Sequence, residues 1–276
     1  MISVLVLTLN EENNIARCLS SVAWSDDVVV LDSGSSDKTV EIAKSMGARV
    51  YTRPFDNEAS QRLYSIRNIE FKHNWVFNPD ADEVATTVLV SEMLARVEAG
   101  GDGCAAFRVR FRTMFCGKWL RWSSLYPTWV VRLFRPEKLS FSRDINLTYH
   151  VDGDVGYLRE HFLHFTFNNG IAAWFDKHNR YSSKEACEVL KSLERGDFGF
   201  SHMLTGGAVE RRRILKELSF RFPFRPLLRF FYMYVIRLGF LDGLMGLRYC
   251  VMLSIYEYMI DLKVKEIKLR AKGGAI

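Results

Sequence analysis

Ile2-Ser3-Val4-Leu5-Val6-Leu7-Thr8-Leu9-Asn10-Glu11-Glu12 opens the chain with a nearly continuous apolar run that ends in a polar cluster. A strand buried on both faces of a parallel sheet reads this way, because neither side-chain direction meets water. Asn10 then has the chemistry of a helix cap, Glu11 and Glu12 suit the helix dipole, and Ile15, Cys18, Leu19 and Val22 recur at helical spacing. The unit repeats. Val28-Val29-Val30-Leu31 is a second apolar strand, ending at Asp32 in the loop Ser33-Gly34-Ser35-Ser36-Asp37, where Asp37 caps a helix with Val40, Ala43 and Met46 inward. Ala48-Arg49-Val50-Tyr51 is a third strand, residues 58 to 70 a helix, and Trp75 to Asn78 a fourth strand. This alternation predicts an α/β fold built on a parallel, Rossmann-like sheet.

Ligands of such sheets bind at the carboxyl ends of the strands, where three polar clusters fall: Thr8 to Glu12, Asp32 to Asp37, and Asp80-Ala81-Asp82. In an extended segment Asp80 and Asp82 point the same way, and two like charges that close call for a cation or proton between them. A divalent metal on hard oxygen ligands answers that need, although Asp-rich strand ends also serve as turns. No Gly-x-Gly-x-x-Gly follows the first strand and no Gly-x-x-x-x-Gly-Lys loop occurs, which removes the dinucleotide and P-loop alternatives. After a helix from Val88 to Val97, strand-like pieces at 105–111, 129–134 and 162–165 make the sheet mixed. From Ile171 onward the chain reads as helical, with breaks at Gly206-Gly207 and Pro223 to Pro226.

A formal charge of +6 favours acidic partners such as phosphate or anionic lipid, while nucleic acid lacks any recognition motif. The cysteines Cys18, Cys104, Cys116, Cys187 and Cys250 are scattered singly, so neither zinc nor a disulfide framework is indicated and a reducing cytoplasm fits. The strand-like start has no basic flank before it, so a cleaved signal peptide is not expected. Leu227, Phe230, Phe231, Tyr234, Val235 and Leu238 form an aromatic-rich face flanked by Arg211, Arg212, Arg213, Arg221, Arg225, Arg229 and Arg237. Such helices lie in a membrane interface or pack on a core. Arg237, Asp242, Arg248 and Glu257 interrupt any run approaching the ~18 residues of a span.

Taken together, Thr8-Leu9-Asn10-Glu11-Glu12, Val30 to Thr39 and Asp80-Ala81-Asp82-Glu83 resemble the family 2 glycosyltransferases of GT-A fold, nearest the lipopolysaccharide core glucosyltransferase branch. Trp129 to Phe134, Trp174 to Ser182 and Gly239-Phe240-Leu241-Asp242-Gly243 are similar to that branch as well. The resemblance implies a GT-A mixed sheet flanked by helices over 1–200, with a nucleotide-sugar half to about residue 100 and an acceptor half beyond, and a basic amphipathic helical extension over 201–276. It implies an inverting transferase that moves a sugar from a nucleotide-sugar donor to a lipid-linked or glycan acceptor of the cell envelope. Such an enzyme would be cytoplasmic and peripheral on the inner face of the membrane.

By the same resemblance Thr8, Asn10, Glu12, Asp32, Ser33 and Gly34 line the nucleotide pocket, with Asp32 accepting from the base. Asp80 holds the ribose, and Asp82 with His164 holds a divalent metal, Mn or Mg, on the sugar diphosphate. Arg62, Lys177, His178 and Arg180 have the chemistry to meet phosphate or acceptor. The expected general base falls at Asn146 or Leu147, neither of which can serve, so Asp144 and His150 stand as the catalytic candidates. Two other readings compete. Asp80-Ala81-Asp82-Glu83-Val84 fits a haloacid dehalogenase-like phosphatase with Asp80 as phosphoryl acceptor, and the missing base fits a non-catalytic nucleotide-sugar binding protein.

Overall fold

The structure, a computed structural model, describes residues 1–142, 148–195 and 224–274. The chain forms two compact units, Met1–Trp119 with Tyr126–Asn169, and Leu120–Leu125 with Gly170–Ile276. The boundary expected near residue 200 lies outside the described residues.

The first unit is organised on β1 (Ser3–Thr8), β2 (Val28–Asp32), β3 (Arg49–Thr52) and β4 (Val76–Phe77), with α1 (Ile15–Ser21), α2 (Thr39–Ser45) and α3 (Glu58–Asn68) between them. These strands are parallel in the order β3-β2-β1-β4, and Thr8 pairs with Asp32 at the carboxyl end. Alternate residues of β1 face opposite ways. Val4 and Val6 join a core with Ile15, Cys18 and Ala43, while Leu5 joins a second with Val29, Leu31 and Val76. Both faces are covered, which is why the run is apolar throughout.

Beyond β4 the direction reverses. β5 (Glu83–Ala85) is followed by α4 (Thr87–Glu98), β6 (Cys104–Phe115), β7 (Lys118–Trp119), β8 (Trp129–Phe134), β9 (Leu139–Ser142), β10 (Thr148–Val151) and β11 (Asp154–His164). The sheet continues β4-β8-β6-β11-β5, with β8 antiparallel to both neighbours and β5 antiparallel on β11. Asp80 to Asp82 is thus the crossing from mid-sheet to the far edge, and Asp80 still bridges to Leu7 of β1. β11, at 11 residues, is nearly three times as long as its apolar signal implies, because a register shift between Tyr157 and His161 interrupts the alternation. The Glu92 carboxylate of α4 accepts from the freed Arg159 and Glu160 amides, each at 2.8 Å.

The first helix begins at Ile15, with Asn14 at its N-cap position, rather than after Asn10. Asn10 adopts φ 56°, a left-handed conformation that asparagine tolerates, and its amide donates to Ser35 Oγ at 2.8 Å. Bonds to the neighbouring loop outcompete its use as a cap. Asp37 behaves as expected of a turn acid, accepting from Thr39 N at 3.0 Å, although α2 starts two residues later.

In the second unit α5 (Gly170–Arg195) packs on a long helix, α7 (Gly243–Ala271), through Ala186, Val189, Ile260 and Val264. His178 stacks on Trp174 at 3.6 Å between ring centroids and meets Tyr256 edge-on at 4.9 Å. It is a packing residue. Lys263 reinforces the pair, donating to Asn179 O and Oδ1 at 2.6 Å and to the Ser182 and Ser183 hydroxyls at 2.8 Å. Ahead of α7 come α6 (Arg225–Phe231), a π-helical turn (Tyr232–Ile236) and a 3-10 turn (Gly239–Asp242). Asp242, 3% exposed, receives Arg121 N, Trp122 N, Ser123 N and Ser123 Oγ at 2.7 to 3.1 Å. Successive amides wrapped round a carboxylate make an anion nest, and this one ties residues 120–125 into the unit.

Leu227 is 66% exposed and Phe231 54%, while Phe230 and Tyr234 stack on each other at 5.2 Å. The expected face is therefore divided between solvent and packing. Arg211, Arg212, Arg213 and Arg221 lie outside the described residues. No single described helix is long and apolar enough to cross a membrane. The pair Arg225–Ile236 and Gly239–Ala271 passes together on length and composition, but bends by 72°.

Candidate active site

Thr8 and Asp32 meet because β1 and β2 run in register. Thr8 Oγ1 donates to Asp32 Oδ1 at 3.1 Å. The rest of that carboxylate is spent on its own loop: Ser35 Oγ reaches Oδ1 at 2.5 Å, and Gly34 N and Ser35 N reach Oδ2 at 2.9 Å. Four donors occupy the acceptor capacity of a carboxylate. Asp32 therefore shapes the loop, and Gly34 at φ 93° supplies the turn that only glycine makes without strain. Ser33 N donates to Thr8 O at 2.9 Å, while its hydroxyl accepts from Gln61 at 3.2 Å.

The loops after β1 and β2 are cross-bonded into one rim. Asn10 Oδ1 accepts from Ser36 N at 2.9 Å, Glu12 Oε2 from Lys38 N at 3.1 Å, and Thr39 Oγ1 from Glu11 N at 2.8 Å. The Asn10 and Glu12 side chains stay exposed along it.

Asp80 is gripped from two elements. Arg62 of α3 donates to Oδ1 at 2.9 Å and to Asn78 Oδ1 at 2.6 Å, and Arg132 of β8 reaches Oδ2. Arg132 also meets Glu83 Oε1 at 2.5 Å, and Glu83 Oε2 accepts the Asp80 amide at 3.0 Å. Both arginines are buried, so their charges require partners. Burial works against the Asp80 carboxylate, but Arg132 and Arg62 outweigh it and hold it well below the usual range. Glu83 goes the other way: burial, with the Asp80 charge beside it, pushes it up to about 7 against the pull of Arg132.

Asp82 points elsewhere. Its Oδ2 lies 3.3 Å from His164 Nε2, each side chain about a fifth exposed at 21% and 22%. The next residue, Phe165, donates its amide to Asp82 O at 2.8 Å, and the His164 ring stands edge-on to Phe111 at 5.2 Å. Burial opposes a charged imidazole there, yet Asp82 raises its pKa above the ordinary value. The DAD motif is thus divided, with Asp80 neutralised by arginine and Asp82 paired with an imidazole. Among the described residues no group of three or more His, Cys, Asp or Glu side chains could hold a metal alone. An open carboxylate and imidazole suit a hard divalent cation that takes its other ligands from phosphate and water.

The other expected residues lie on β10, on α5 and outside the described residues. His150 alternates on β10 with Tyr149, whose ring lies 5.9 Å from the Arg62 guanidinium. Neighbours on a strand face opposite ways, so the exposed His150 lies on the face turned from Asp80. Asp144 lies outside the described residues. Lys177 and Arg180 belong to the second unit, on the exposed side of α5. His178 is committed to its aromatic stack, and burial lowers its pKa. Sequence reasoning missed two arginines. Arg132 is a charge inside the apolar run Trp129 to Phe134, a signal in itself, and Arg17 of α1 lies over the Phe165 ring at 3.7 Å.

A mixed α/β sheet with this polar constellation at the carboxyl ends defines a transferase of GT-A architecture. Residues 3–165 match the family described as glycosyl transferase family 2, and the chain belongs to that family. It is 27% identical over 99% of its length, and 89% of the relative's, to an uncharacterized glycosyltransferase of Rickettsia typhi. It is 26% identical to the lipopolysaccharide core biosynthesis glycosyltransferase LpsC of Rhizobium meliloti, covering 71% of this chain and 74% of that one. A solved structure of glucosyl-3-phosphoglycerate synthase from Mycobacterium tuberculosis overlaps 41% of this chain and 44% of its own at 25% identity, with a TM-score of 0.36. The protein is a glycosyltransferase. A phosphatase built on Asp80 finds no support, since the acid follows the fourth strand and is held by two guanidinium groups.

Proposed function

We propose that the protein is an inverting glycosyltransferase that moves a sugar from a nucleotide-sugar donor to a lipid-linked or cell-envelope glycan acceptor, assisted by a divalent metal at Asp82 and His164. The observation that carries the reading is the Asp82–His164 pair at the sheet's carboxyl end, beside the rim built on Thr8 and Asp32. The name of the LpsC relative supports the envelope acceptor. Asp32 shapes this rim and is the proposed acceptor from the nucleotide base, whose donor would take the place of a rotatable hydroxyl such as Ser35 Oγ. Asp80, its side chain still 36% exposed, is left to meet the ribose. A bound divalent ion, Mn or Mg, would offset charge on the departing diphosphate as the bond to the anomeric carbon breaks. Arg62 and Arg132 fix Asp80 and Glu83, and through them the turn that presents Asp82. Asp144 is the proposed base, since His150 points away.

The second unit supports attachment to a membrane surface. Leu227, Phe231, Ile236, Leu241 and Leu244 are all more than half exposed, with Arg237 and Arg248 among them. The donor reading is tested by binding and turnover of nucleotide sugars with and without manganese. Asp82→Ala and His164→Ala should each abolish the manganese-dependent part, and full activity in a chelator would overturn the metal role.

A further inference from the structure

Three arginines approach the 80–83 turn and the end of β11 from different elements. Arg62 and Arg132 are committed to Asp80, Glu58 and Glu83. Arg17 differs. Among the described residues it makes no ion pair, its Nη2 donates to Asn14 Oδ1 at 3.2 Å, and the Asn168 side chain adjoins its guanidinium. Its partner is a ring: the guanidinium lies 3.7 Å from the centroid of Phe165, the residue whose amide holds Asp82.

The placement follows from α1. Ile15, Cys18 and Leu19 of this helix are buried, and Cys18 Sγ touches Asp80 O at 3.6 Å. That contact sets the helix against the turn and leaves Arg17, one residue earlier, over the end of β11. Asp82 is the acid that most favours its charge, although the two do not reach ion-pair distance. Burial lowers the Arg17 pKa, and a guanidinium in a protein nonetheless keeps its charge. A cation held on an aromatic face, near a carboxylate but separated from it, is placed to receive an anion.

We propose that Arg17 is the cationic contact for the terminal phosphate of the donor's diphosphate, on the α1 side of Asp82 and His164. The inference rests on the donor reading above. The planar fork suits phosphate oxygens, and the Phe165 stack fixes its orientation before the ligand arrives.

The test uses the full chain with manganese and UDP, GDP, CDP or ADP, then the monophosphate of whichever diphosphate binds tightest, by calorimetry. Arg17→Gln should weaken the diphosphate about ten- to a hundredfold, the range of one charge-assisted hydrogen bond, and leave the monophosphate within about threefold. Arg17→Lys, which keeps the charge but loses the planar fork and its stack on Phe165, should weaken the diphosphate by about three- to tenfold and the monophosphate by less, and it carries the test if the glutamine variant does not fold. Unchanged diphosphate affinity in Arg17→Gln, or an equal loss for both nucleotides, overturns the assignment while the donor reading stands. A wild-type chain that binds none of the four diphosphates overturns the donor reading itself.

Discussion

Asp242 offers the sharpest test of the packing argument, because its carboxylate serves four donors and has no exposed route to replacement. Asp242→Ala strips the acceptor from three consecutive amides and the Ser123 hydroxyl. An unsatisfied buried donor costs about 1 to 3 kcal/mol, and a water entering the vacated space recovers part of it, so a loss of about 4 kcal/mol is expected. That is a large share of the ~5 to 15 kcal/mol that holds a folded domain together. Asp242→Asn is gentler for a geometric reason. Three of the four donors converge on Oδ2, which the amide oxygen can replace, and only Arg121 N, bonded to Oδ1, is left facing an NH2 group. Its cost should be about 1 to 2 kcal/mol. Urea unfolding followed by tryptophan fluorescence measures both, with Trp122 inside the perturbed segment. An alanine variant within about 1 kcal/mol of wild type would refute the nest as a structural tie. Equal losses for Asn and Ala would show that charge, and not acceptor geometry, is what matters.

His178 provides a pH test. Its pKa in the folded chain is depressed below the ordinary 6.5, first by burial and then by Lys177, so folding favours the neutral ring. The corresponding stability is present above about pH 6.5 and is lost as pH falls below it. His178→Phe, which keeps a ring between Trp174 and Tyr256, should flatten part of the decline in melting temperature between pH 7.5 and 5.5; an unchanged slope would contradict the assignment. The membrane reading predicts co-sedimentation with vesicles containing anionic lipid. Leu227→Ser with Phe231→Ser should weaken it at least about tenfold, since each apolar side chain contributes about 1.5 to 3 kcal/mol when buried. Undiminished partition of that double variant would count against this face.

The parallel half of the sheet was legible because strands buried on both faces carry their signal in every residue, as Val4 to Leu7 and Val28 to Leu31 do. The DAD segment was legible for a related reason: acids after an apolar strand lie at the strand's carboxyl end. What escaped depends on partners far away in sequence. Asn10 looks like a helix cap until Ser35 and Ser36 are seen to claim it, and nothing local to Arg132 names Asp80 and Glu83. β11 hid most of its length because its bulge breaks the period. The titration range of His150 is read from its residue type, but the face it occupies is set by the pairing of β9 with β10, and that register is not written near residue 150.

The cross-bonded rim has a consequence for how this chain can vary. Loops at strand ends ordinarily tolerate insertion and substitution because few partners depend on them. Here Asn10, Glu11 and Glu12 find their partners in Ser35, Ser36, Lys38 and Thr39. A residue inserted into either loop would shift several bonds out of register together. The two loops should therefore drift as a linked pair among relatives, with a change at Asn10 answered at Ser36.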